Sequence, residues 1–124
     1  MSIKITHDAG KPTASVELMI RRPLADYDLV EIEGAIPRDV DPMLASQGFK
    51  DLLDEARGIL GRELAAANFE IAQLTGAICR DGGVYRPGIW LVLRERDAGG
   101  EMSATAWERV AAIAETLRKS LQIS

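Results

Sequence analysis

The chain has 124 residues, with 19 acidic and 15 basic side chains, one histidine and one cysteine; its formal charge is −4 and its pI about 5.0. A length of about one domain, with 47% hydrophobic and 27% charged residues, excludes a multidomain chain and a disordered one. The negative balance excludes wholesale coating of nucleic acid, and the lone Cys79 and lone His7 exclude an internal disulfide and the usual Cys/His zinc sites.

Residues 1–14 read either as a flexible arm or as a short edge strand, because Ile3 and Ile5 alternate about Lys4 while Gly10 and Pro12 interrupt. Val16, Leu18 and Ile20 then alternate with Glu17, Met19 and Arg21, the period of two of a half-buried strand. Pro23 breaks this pattern, Leu24-Ala25-Asp26 suits a turn, and Leu29-Val30-Glu31-Ile32-Glu33 resumes the alternation. The short connection predicts an antiparallel hairpin. It sets Val16, Leu18 and Ile20 beside Val30 and Ile32, and Glu17, Arg21, Glu31 and Glu33 on the wetter face.

Asp41-Pro42 pairs an N-cap aspartate with a proline at the first helical position. An apolar stripe follows at steps of three and four, from Phe49 and Leu52 through Ile59, Leu60 and Leu64 to Ile71 and Leu74. It predicts one helix from about residue 43 to about 75, with Gly76 as a C-terminal stop. Asn68-Phe69 is the weakest point: the helix is favoured to at least Ala67, and residues 69–79 are open between helix and strand. Asp81-Gly82-Gly83 signals a hairpin turn and Pro87-Gly88 a second break. Ile89-Trp90-Leu91-Val92-Leu93 predicts a buried central strand. Ser103 caps a last helix with a stripe of Trp107, Val110, Ala111, Ala114, Leu117 and Leu121. The order β-β-α-β-β-α predicts a single α+β domain spanning residues 1–124, an antiparallel sheet with two helices packed on one face.

Chemistry-bearing groups are sparse. Cys79 and His7 are the one nucleophile–base pair that the composition allows, but a lone cysteine in an alternating segment is ordinarily a small core hydrophobe. Glu17, Glu31 and Glu33 could form a carboxylate cluster on the hairpin; a solvated charged face is the plainer account, and no histidine completes a metal site. No cofactor motif is present, since Asp81-Gly82-Gly83 lacks the lysine and hydroxyl of a phosphate loop. Gly58-Ile59-Leu60-Gly61 is similar to the Gly-x-x-Gly loop of KH domains, with Thr75-Gly76-Ala77-Ile78 downstream. It departs from that family in its apolar middle residues and its longer interval, and the helical stripe runs through it. The two glycines are instead expected to admit close approach of another element.

Charge is divided along the chain. Residues 26–41 carry Asp26, Asp28, Glu31, Glu33, Asp39 and Asp41 against Arg38, a balance of −5. Residues 78–96 carry Arg80, Arg86, Arg94 and Arg96 against Asp81 and Glu95, a balance of +2. Either the two segments neutralise each other in one sheet, or each is a recognition patch. The leading expectation is a non-catalytic protein that binds a protein partner through Asp26, Asp28, Glu31 and Glu33. Nucleic-acid or nucleotide binding through Arg80, Arg86, Arg94 and Arg96 is the alternative, and an enzyme using Cys79 or the glutamates is a third. Self-association through the 43–75 helix is expected from its small residues Ala56, Gly58, Gly61, Ala65 and Ala67. No run approaches the ~20 apolar residues of a membrane span, and Met1–Lys11 lacks the apolar core of a secretory signal, which predicts a cytoplasmic protein.

Tyr27-Asp28-Leu29-Val30-Glu31-Ile32-Glu33 followed by Asp41-Pro42 lies in a stretch, Val16 to Leu64, that resembles small, mostly uncharacterised bacteriophage and prophage proteins. The resemblance covers about 50 residues and carries no catalytic motif. It implies an accessory protein acting on other proteins, of immunity, chaperone or host-inhibitory type.

Overall fold

The computed structural model describes residues 3–20, 32–33, 47–65, 67–81, 84–97 and 99–121, with the backbone alone for 32–33 and 80–87. The apolar run Ile89–Leu93 forms the middle of β5 (Val84–Glu95), which is paired along both edges. One edge carries β4 (Phe69–Asp81), antiparallel from Phe69↔Glu95 to Asp81↔Val84. The other carries β2 (Thr13–Met19), antiparallel from Thr13↔Arg94 to Met19↔Gly88. Farther along that same edge lies β3 (Ile32–Glu33), opposite Tyr85 and Val84. β1 (Ile3–His7) pairs with the outer edge of β2, from Ile3↔Leu18 to His7↔Ala14. Among the described residues the sheet is therefore four strands wide, β1-β2-β5-β4, with β3 continuing the row of β2.

Among the described residues two helices, α1 (Gln47–Ala65) and α2 (Ala104–Ser120), pack on one face of it; with β3 taken as a continuation of the β2 row, the α+β order is β-β-α-β-β-α. Val16, Leu18, Ile89, Leu91 and Leu93 meet Phe49, Leu52 and Leu60 of α1 and Val110 and Leu117 of α2 in one cluster of fully buried side chains. Each contributes roughly 1.5–3 kcal/mol by leaving water. Ser103 caps α2 as its sequence predicts: its Oγ accepts the Ala106 N–H at 3.1 Å and donates to Glu95 Oε2 at 3.1 Å, tying the helix start to the end of β5. The buried stripe of α2 runs through Ala106, Val110, Ile113, Ala114 and Leu117; Ile113 takes the place expected of Ala111, which is exposed. No described helix is long and apolar enough to cross a membrane.

Four local expectations are corrected. The hairpin of 15–21 with 29–33 does not form, because β1 and β5 occupy both edges of β2 and Ile32-Glu33 joins β5. Val16 and Leu18 lie beside Ile5, Ile3, Leu91 and Ile89 instead. The competing hairpin, β1 with β2, is closed by a tight turn. Asp8 N–H donates to Thr13 O, Thr13 Oγ1 donates to Asp8 Oδ2 at 2.6 Å, and Gly10 supplies a φ of +73°. Pro23 to Glu31, and the helix start at Asp41-Pro42, lie outside the described residues.

The helical stripe also stops early. α1 ends at Ala65, and residues 69–79 are strand, so Ile71 and Leu74 belong to β4 and Gly76 is no helix stop. The turn is held by Asn68, whose Nδ2 donates to Arg96 O at 2.6 Å while Asn68 O accepts the Arg96 N–H at 2.9 Å. Pairing with the whole of β5 outweighs the local helical period. Nor does Pro87-Gly88 break β5: the β2 ladder ends at Gly88 and the β3 ladder begins at Tyr85, so Pro87 falls between them, where a residue lacking an N–H is tolerated. Gly88 is required there, since a Cβ would stand 2.5 Å from Cys79 Sγ and 2.5 Å from Leu18 O.

Finally, Gly58-Ile59-Leu60-Gly61 is continuous helix with Ile59 and Leu60 in the core, so it forms no KH-like loop. Among the described residues nothing lies within 4 Å of a Cβ placed at Gly58 or Gly61, so neither glycine admits a described neighbouring element. Gly58→Ala should therefore raise stability by up to about 1 kcal/mol, through helix propensity alone. Gly88→Ala should lower it by about 1–3 kcal/mol, through overpacking. Urea midpoints of the two variants check both signs.

Candidate functional site

With Ile89, Leu91 and Leu93 turned to the helices, alternation turns Trp90, Val92 and Arg94 to the opposite face. The registers assemble three rows across that face. Lys4, Glu17, Trp90 and Thr75 form one; Thr6, Ser15, Val92 and Gln73 the next; Thr13, Arg94 and Glu70 the third. Trp90 and Val92 are half-buried at the centre, between half-buried Ser15 and Glu17 and exposed Gln73 and Thr75. Arg94 Nη1 donates to Glu70 Oε1 at 3.3 Å. The charges Lys4, Glu17, Arg94 and Glu70 sum to zero. The result is a polar, charge-balanced platform with one large aromatic ring at its middle.

The same face closes at its other end, where Met19, Gly88 and Cys79 are buried. The Cys79 thiol is pushed up to about 12, chiefly by burial and further by the Glu17 carboxylate, against a smaller opposing effect of Lys4. It is a protonated thiol near neutral pH and no ready nucleophile. His7 stands apart from it. His7 lies on the helix-side face in the row of Ala14 and Leu93, and Cys79 lies on the opposite face, farther along the strands by roughly 20 Å or more. The imidazole instead packs on Trp107, with ring centroids 4.9 Å apart at 43°, and its Nδ1 is 4.0 Å from Glu101 Oε1. Its Nε2 is buried with no hydrogen-bond partner among the described residues.

The residues singled out by charge are dispersed. Asp26, Asp28 and Glu31 lie outside the described residues, and the backbone of Glu33 sits opposite Val84. Glu17 is opposite Trp90, six positions farther along β5, so Glu17 and Glu33 are roughly 20 Å apart and share no cluster. Arg80 and Arg86 belong to the end of the sheet near the β4–β5 turn, with Arg80 opposite Tyr85 and Arg86 opposite Cys79. Arg94 is eight positions from Arg86, roughly 27 Å along the strand. Arg96 follows β5 beside Asn68. The four arginines thus divide between two ends, and Glu33 joins the end that holds Arg80 and Arg86.

Sequence reasoning missed the central position of Trp90. Its run was read as apolar throughout; the signal that exposes it is the polar alternation of the neighbouring strand, where Ser15 and Glu17 face the same way. Comparison of the chain with protein-family models, with curated proteins and with solved structures finds no match.

The Cys79 shift carries a pH signature. The unfolded thiol ionises around its ordinary 9.0, while the folded thiol holds its proton to about 12. The folded state then binds more protons, so stability present below pH 9 is lost as pH rises through that interval. A Cys79→Ala variant should show a flatter fall in urea midpoint than the wild type between pH 8.5 and 10.5, a range of about two units. Equal slopes would contradict the assignment.

Proposed function

We propose that this chain is a non-catalytic binding protein that docks a protein partner on the uncovered face of its sheet, centred on Trp90. The observation that carries this is the placement of that ring. Trp90 is partly exposed at the middle of a strand held on both edges, so part of a large aromatic ring meets solvent at a fixed position. Tryptophan on a fixed scaffold, flanked by Glu17 and Thr75 in its own row and by Ser15 and Gln73 in the next, resembles the aromatic anchor of a protein-interface hot spot within a polar surround. The acidic run Asp26, Asp28, Glu31 and Glu33 supplies long-range steering toward a partner with a basic rim. The resemblance to small phage and prophage accessory proteins suits such a role.

Two observations weigh against the other readings. Arg94 is engaged by Glu70, and Arg80 and Arg86 lie at the other end of the sheet from Arg94 and Arg96, which leaves no continuous basic track among the described residues. Cys79 is buried, protonated and far from His7, which leaves the thiol without a base.

The experiment is a purification from the native host. Thr75→Arg places a long cation beside Trp90 at an exposed position, and Ala112→Arg does the same on the exposed side of α2. A specific partner recovered with the wild type should be lost with Thr75→Arg and kept with Ala112→Arg. Glu31→Lys with Glu33→Lys should slow its association without removing the docking face. An unchanged partner with Thr75→Arg would overturn the proposal.

A further inference from the structure

Glu17 stands directly opposite Trp90 across the β2–β5 ladder, on the face turned away from the helices. Directly opposed residues have Cβ atoms roughly 5 Å apart, so one group lying on the sheet can touch both ring and carboxylate. Both residues are half-buried, and each meets solvent over part of its surface. Among the described residues Glu17 forms no ion pair, and neither a ring nor a cation stacks on Trp90. Arg94 is four positions farther along β5, roughly 13 Å, and is held by Glu70. Lys4 is exposed on the outer side of Glu17, two strands and roughly 10 Å from Trp90.

We infer that the partner docked on this face presents an arginine side chain to Trp90 and Glu17, a reading that rests on the docking face proposed above. The carboxylate decides the chemistry. An apolar group laid on Trp90 would strip water from Glu17 and give it nothing in return, a cost that rises with burial. An anionic group would be repelled by the same carboxylate. A cation satisfies both neighbours: the tryptophan ring attracts it more strongly than any other aromatic ring, and the carboxylate completes a charge-assisted hydrogen bond. Guanidinium suits the pair better than ammonium. It is planar and weakly hydrated, so it can stack on the indole while its N–H groups reach sideways to the carboxylate. The half-burial of both residues lowers the local dielectric and strengthens the contact relative to one made in open water.

The probe is N-acetyl-arginine amide, with N-acetyl-citrulline amide as its uncharged counterpart. Each is titrated into the full chain and read at the indole N–H resonances of its two tryptophans. The Trp90 resonance, assigned with Trp107→Phe, is expected to shift saturably with the arginine compound, at a dissociation constant on the order of millimolar. Trp107, already packed on His7, should stay in place and serves as the internal control. Glu17→Gln should raise the dissociation constant about two- to fivefold, the scale of a partly exposed ion pair. Lys4→Gln removes the cation that competes for Glu17 and should lower it. Asp54→Asn makes the same change in net charge as Glu17→Gln on the exposed side of α1 and should leave it unaltered. A Trp90 resonance that does not move, or that moves equally with the citrulline compound, overturns the inference. So does an effect of Glu17→Gln no larger than that of Asp54→Asn. Loss of the native partner with Thr75→Arg beside a silent arginine titration would keep the docking face and remove its arginine. A saturable titration beside a partner indifferent to Thr75→Arg would keep the arginine site and remove the docking reading.

Discussion

The rest of the molecule depends on β5 being paired along both edges. Its register with β2 and β4 decides which residues of three strands face the helices, because side chains alternate and a slip of one residue would exchange the faces. Ile89 opposite Leu18, Leu91 opposite Val16 and Leu93 opposite Ala14 is the arrangement that buries all six. The close approach at Gly88 locks it: Leu18 O and Cys79 Sγ arrive from the two flanking strands on the space a Cβ would need. A residue with a side chain at that point would push β2 and β4 apart, and the rows across the sheet would lose their alignment.

From that constraint follows the division of labour between the two faces. Helices α1 and α2 cover one side and pack on apolar alternants of β1, β2, β4 and β5. The other side receives what remains, and its two ends differ in physical character. Around Cys79, Met19 and Gly88 it is closed, and the thiol there is held neutral by lost hydration. Around Trp90 and Val92 it is open and charge-balanced. The proposed docking face lies at the open end, where the partly exposed Trp90 sits on a strand held along both edges.

Much of this architecture was legible in the amino-acid pattern. The alternation of Val16, Leu18 and Ile20, the stripe of α1 through Leu64, the two-residue link after Asp81 and the Ser103 cap all announce their elements through local physics. What was not legible is who pairs with whom. Alternation states which face a strand buries and is silent on its neighbour, so β2 was matched to the nearest downstream strand instead of to β1 and β5. Ile71 and Leu74 continue a helical period by coincidence; only the length of β5, waiting to be paired as far as Glu95, turns them into strand. The candidate site shows the same limit. Arg80, Arg86, Arg94 and Arg96 are close in sequence, yet an extended strand separates residues that a helix or loop would have gathered.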